Sequence, residues 1–133
     1  MSGHIAALND SVTSKKVVYK NRCGLEIMGE LYYAKDMDLT RKHPALIVGA
    51  PYGGVKEQGP CVYGSELAQR DFVVLTFDQS FMGESGGFPR NVSCPDIFTE
   101  NFSAAVDFLG LQSFVEREKI GAIGICGSGG FAL

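Results

Sequence analysis

Apolar positions along the chain gather into short runs separated by turn and loop residues. Lys16 to Lys20 and Leu25 to Tyr33 are rich in Val, Tyr, Ile and Leu. They predict two strands joined by a turn at Asn21-Arg22-Cys23-Gly24, an antiparallel hairpin. A charged loop follows from Lys35 to His43. Then Ala45-Leu46-Ile47-Val48, Phe72 to Phe77 and Ile120 to Ile125 are unbroken apolar runs of strand length, as expected of strands buried on both faces. Between them, Val62 to Arg70 has helical character, with Leu67 and Ala68 on one side and Glu66, Gln69 and Arg70 on the other. Pro95 to Leu109 predicts a helix that starts at Pro95 or Asp96. Ile97, Phe98, Phe102, Ala105, Val106 and Leu109 form its apolar face. Phe131-Ala132-Leu133 reads as the first turn of another helix.

Strand, helix, strand, helix, strand, helix start is the alternation that builds a parallel sheet with helices on its faces. The expected fold is therefore α/β: a mostly parallel sheet with helices on both faces, and a leading antiparallel hairpin at one edge. Residues 1–14 are small and polar and read as a flexible lead-in. Residues 15–133 belong to a single domain. A chain of 133 residues has room for one core and not for two.

Composition narrows the function classes. Hydrophobic residues make up 45% and charged residues 20%, the proportions of a folded chain rather than a disordered one. The net charge of −3, with basic residues scattered, disfavours a nucleic-acid binder. No apolar run approaches the ~20 residues needed to span a bilayer, so no membrane partner is expected. Residues 1–10 lack the basic start and apolar core of a signal peptide. Cys23, Cys61, Cys94 and Cys126 are widely spaced, which argues against a zinc site and outlines no disulfide framework. These features together predict a cytoplasmic protein. Asn91-Val92-Ser93 and Asn101-Phe102-Ser103 match the glycosylation triplet and are read as chance.

The glycines mark the segment that carries chemistry. A strand that ends in a tight turn and opens a helix can hold one exposed side chain at its tip. That residue takes a strained backbone, so its neighbours at −2 and +2 must be small. Gly124-Ile125-Cys126-Gly127-Ser128-Gly129-Gly130 meets this need with Cys126 at the tip. The Gly127 amide then faces developing negative charge at a helix start, where a thiolate is also stabilised. Two serines compete for the role. Gly83-Glu84-Ser85-Gly86-Gly87 matches G-x-S-x-G, but the preceding strand has already ended at Asp78, and Phe88-Pro89 follows where a helix should begin. Ser128 has small neighbours too, but choosing it lengthens the strand by two residues through Cys126-Gly127. Cys23, Cys61 and Cys94 read as structural. Asp78 reads as a turn cap, Arg90 and Lys56-Glu57 as solvated or locally paired, and Phe98 and Phe102 as core.

The 124–130 segment resembles the nucleophile elbow of the α/β-hydrolase superfamily in its cysteine form, as in the dienelactone-hydrolase-like group. His43 to Gln58 resembles that group's third strand and oxyanion loop, and Phe77 to Arg90 resembles the loop after its fourth strand. The three blocks fall in family order and cover roughly residues 16 to 133. The resemblance implies that Cys126 is the nucleophile. It implies that the backbone amides of Tyr52 and Gly127 form the oxyanion hole, and that no metal or organic cofactor is needed. The implied substrate is a small-molecule acyl compound: a carboxylic ester, lactone or thioester.

A general base and an orienting acid are also required. The chain contains only His4 and His43. His43 starts its strand, so ~6 residues at ~3.3 Å each put it about 20 Å from the elbow. The family places acid and histidine after the nucleophile, hence beyond Leu133. The chain thus reads as the N-terminal part of a longer hydrolase, inactive and poorly soluble by itself. An acyltransferase on the same fold and a non-catalytic relic that binds a ligand or partner are the alternatives. Oligomeric state is not legible.

Overall fold

A computed structural model describes residue 4 and residues 7–132. The hairpin is β1 (Val12–Lys20) and β2 (Glu26–Ala34). There follow β3 (His43–Gly49), α1 (Gly59–Ala68), β4 (Val73–Phe77), α2 (Pro95–Gly110), β5 (Val115–Gly124) and a single helical turn, α3 (Ser128–Phe131). The sheet order is β1-β2-β4-β3-β5. Both pairings of β3 are parallel, and the β1–β2 and β2–β4 pairings are antiparallel. The expected architecture is present: β4, β3 and β5 form the parallel part, and the leading hairpin docks antiparallel on β4 and makes the sheet mixed.

Alternation along the buried strands sends side chains to two separate cores. Ala45, Ile47, Val73, Leu75 and Phe77 meet Phe102, Ala105 and Leu109 of α2. Val48, Val74 and Tyr32 meet Cys61 and Ala68 of α1 on the opposite face. The chain passes from β3 through α1 to β4 on one side, then through α2 back across β3 to β5 on the other. Right-handed crossovers in opposite directions place their helices on opposite faces.

Element bounds differ from the sequence expectation in instructive ways. β1 begins at Val12, so residues 12–14, counted with the lead-in, pair with residues 32–34. Residues 1–3, 5, 6 and 133 lie outside the described residues. α1 starts three residues early because Pro60 in its first turn presets the helical φ. Its buried face consists of small residues, Pro60, Cys61, Gly64, Ser65 and Ala68. A Cβ on Gly64 would lie 2.8 Å from the Tyr32 ring. Gly64→Ala gains about 1 kcal/mol in helix propensity but overpacks the fully buried Tyr32 at a cost of about 1–3 kcal/mol. A lower urea midpoint is expected; an unchanged or higher one contradicts the contact.

On α2, Asn101 shares the buried face and Val106 is 42% exposed, where the expected apolar face had Val106 inside. β5, expected to be buried on both faces, is the edge strand of the sheet formed by the described residues, and Gly121 and Ala122 are exposed there. A strand with a neighbour on one side only leaves its outer side uncovered. No helix among the described residues is long and apolar enough to cross a membrane.

Candidate active site

β3 and β5 run parallel side by side, and their following segments diverge. The segment after β3 leads to α1 on one face, while α3 packs with α2 on the other. Such a reversal opens a crevice at the carboxyl ends of the two strands, where ligands bind in open α/β sheets. Gly49 pairs with Gly124 at that end, so the segments 50–58 and 125–127 both rise from the crevice.

Cys126 sits at the tip of the second segment with φ +55 and an exposed side chain. A non-glycine residue held there stores about 1–3 kcal/mol of strain. The turn is closed by the Ser128 amide donating to the Ile125 carbonyl (3.1 Å) and the Gly129 amide to the Cys126 carbonyl (3.0 Å). Gly124 must be glycine because a Cβ there would collide with the Ser128 backbone. On the facing segment, Tyr52 is 60% exposed. Its Cβ lies 3.0 Å from where a Cβ on Gly127 would stand. The fold therefore brings Tyr52 and Gly127 together beside Cys126. Among the described residues, neither of their amides donates to another group.

The competing serines are buried, each 2% exposed. Ser85 Oγ accepts from the Met28 amide (2.9 Å) and donates to the Asp78 carbonyl (2.7 Å). Ser128 Oγ donates to the Ala50 carbonyl at 2.5 Å. His43 lies at the amino end of β3, remote from the crevice, with Nε2 2.7 Å from the Asp38 carbonyl. His4 contacts Glu30. Asn101, of the second glycosylation triplet, is fully buried and donates to Gln79 Oε1 at 2.7 Å.

Of the two readings of Lys56, solvated or locally paired, the structure keeps only the second and enlarges it: Lys56 is fully buried and pairs beyond its neighbour Glu57. Its amide donates to Asp78 Oδ1 (2.7 Å) and its ammonium to Asp78 Oδ2 (2.9 Å) and Glu84 Oε1 (2.6 Å). Glu57 Oε2 is a further ion contact at 2.6 Å, without hydrogen-bond geometry. Burial pulls the Lys56 pKa down, but the contacts with Glu57, Glu84 and Asp78 outweigh it and raise the pKa. No local pattern distinguishes this lysine from a surface one. The only hint is its place directly after a glycine loop. Glu57, Asp78 and Glu84 have the spacing of a cation site, but the Lys56 ammonium already supplies the cation among them.

The hydrogen bond from Lys56 lowers the Glu84 pKa against the opposing effect of burial. A carboxylate held below its ordinary range contributes stability that is present above that range. The contribution is lost as pH falls through the lowered value. Wild type and Glu84→Gln should therefore differ in melting temperature at neutral pH and converge on acidification. A difference that persists in acid contradicts the pairing.

The likenesses to known proteins bear on the fold. No family profile matches the chain. Over 126 residues it is 52% identical to protein PA2218 of Pseudomonas aeruginosa, covering 95% of this chain and 34% of that one. The crystal structure of PA2218 superposes with a TM-score of 0.93, covering 97% of this chain and 40% of that one. A thiohydrolase of Aspergillus aculeatus, aneE, is 32% identical across 94% of this chain and 38% of its own length. An α/β hydrolase of Penicillium sp. sh18, GrgF, matches in structure with a TM-score of 0.80 at 21% identity, over 90% of this chain and 39% of that one. The chain thus spans about a third of the length of the curated relatives it matches. It carries part of the α/β-hydrolase fold.

Proposed function

We propose that the whole protein is a hydrolase that cleaves a carboxylic ester, lactone or thioester through an acyl-enzyme on Cys126. The observation that carries this reading is the exposed thiol at φ +55, beside the paired Tyr52 and Gly127. The thiohydrolase relative supports the same reaction class.

In this mechanism Sγ gives up its proton to a base and attacks the acyl carbonyl. The carbonyl electron pair moves onto oxygen, where the Tyr52 and Gly127 amides donate to it. Collapse breaks the bond to the leaving alcohol or thiol, which takes the proton. Water then attacks the thioester by the same route, releasing the acid and restoring the thiol. The base and its orienting carboxylate come from a segment beyond Leu133, since both histidines of this chain are remote or engaged elsewhere.

The test is intact-mass trapping of the whole protein with p-nitrophenyl acetate, followed by peptide mapping. An acetyl adduct on Cys126 is expected. No adduct, or one confined to Cys23, Cys61 or Cys94, overturns the proposal.

A further inference from the structure

The tip that carries Tyr52 does not hold itself in place. Tyr52 is largely exposed, Gly53 has φ +76, and nothing lies within 4 Å of where a Gly53 Cβ would be. The one bond inside the turn is the Gly54 amide to the Pro51 carbonyl, 2.7 Å. Yet an oxyanion donor must sit ~2.7–3.1 Å from the developing charge, and its supports must hold it to about 0.5 Å.

Firm contacts flank the tip on both sides. Two residues before Tyr52, the Ala50 carbonyl accepts from the buried Ser128 hydroxyl. Ser128 is part of the elbow, so this bond ties the Tyr52 segment to the element that carries Cys126 and Gly127. Four residues after Tyr52, Lys56 grips both carboxylate oxygens of Asp78. Asp78 is fixed in turn to the sheet. Its amide donates to the Met28 carbonyl (3.0 Å), and its carbonyl accepts from Ser85 Oγ. The Glu84 amide donates to its Oδ2 at 2.9 Å. Gly83 packs so close to the carboxylate that a Cβ there would collide with it.

We propose that Ser128 and Lys56 are positioning residues that set the Tyr52 amide against Gly127, one through the Ala50 carbonyl and the other through Asp78. This rests on the reading of Tyr52 and Gly127 as the oxyanion amides of a Cys126 nucleophile. It gives work to a serine that resembles a nucleophile and to a lysine that resembles a surface residue.

Two thiol reagents separate positioning from mere stability. Iodoacetamide alkylates sulfur by displacing iodide, and no oxyanion forms. p-Nitrophenyl acetate acylates sulfur through a tetrahedral oxyanion and releases p-nitrophenolate. Both rates are measured at Cys126 in the whole protein, wild type, Ser128→Ala and Lys56→Met, with site-resolved mass spectrometry. Each variant is expected to slow acylation about 10–100-fold, part of the effect of deleting an oxyanion donor, with alkylation within about twofold of wild type. Equal loss of both rates, or no loss of acylation, overturns the positioning role and leaves the nucleophile assignment standing. A wild-type Cys126 that alkylates but never acylates overturns the hydrolase reading, and this inference with it. Ser128→Ala removes one buried oxygen and carries the test if Lys56→Met does not fold.

Discussion

Cys126→Ala is expected to remove acyl-enzyme formation and to lower turnover of a chromogenic thioester by about 10⁴-fold or more. Deleting a nucleophile that acts as one unit with its base leaves only the binding and oxyanion contributions. The fold should survive the change. Cys126 is exposed and its thiol packs into neither core cluster. The left-handed backbone at this position is imposed by the turn around it, with Gly124 clearing the Ser128 backbone. Alanine at φ +55 carries much the same strain as cysteine, so the circular dichroism spectrum and melting temperature should stay near wild type. Turnover within tenfold of wild type would sink the assignment. Ser128 could not then substitute, because its hydroxyl is buried and already donated to Ala50.

Lys56→Met should be the most destabilising substitution of a charged residue in this chain, by about 3–5 kcal/mol. The ammonium is the shared counter-ion of Asp78, Glu84 and Glu57. Asp78 is fully buried and cannot turn to water when the lysine is gone. Asp78 keeps the backbone amides of residues 56 and 84 as donors but loses its counter-charge, and a buried carboxylate without a counter-charge costs more than the ion pair contributed. Part of the difference from wild type should close in acid, where Glu84 loses the charge that pairs it with Lys56. Urea unfolding at neutral and acid pH measures both effects. A loss below about 1 kcal/mol at neutral pH would mean that water or a rearranged loop replaces the ammonium.

Much of the fold was legible because the periodicity of strands and helices is local. The runs at Ala45 to Val48 and Phe72 to Phe77 announced buried strands, and both are central. Ile120 to Ile125 has the same composition and stands at the edge of the described sheet, in a chain that spans about a third of the length of its curated relatives. The hairpin was legible too, but its docking onto β4 was not. That pairing joins Gly29 to Phe77 and Tyr32 to Val74 across more than forty residues, and it makes the sheet mixed. At the site, the small residues Gly124 at −2 and Ser128 at +2 around Cys126 pointed to the elbow, since only small residues permit that turn. The contact of Tyr52 with Gly127 entered only through resemblance to known hydrolases.

The amino-acid sequence by itself therefore determined the alternation of elements, the two faces of each central strand and the tip at Cys126. Each of these depends on residues within one turn or one strand. Only the tertiary structure decided that Ser85 and Ser128 are tied down inside, that Lys56 is buried among three carboxylates, and that Tyr52 and Gly127 meet. Each of those outcomes needs at least one partner 22 to 78 residues away along the chain. Burial and pairing across such distances are set by how the sheet orders its strands, which no local pattern encodes.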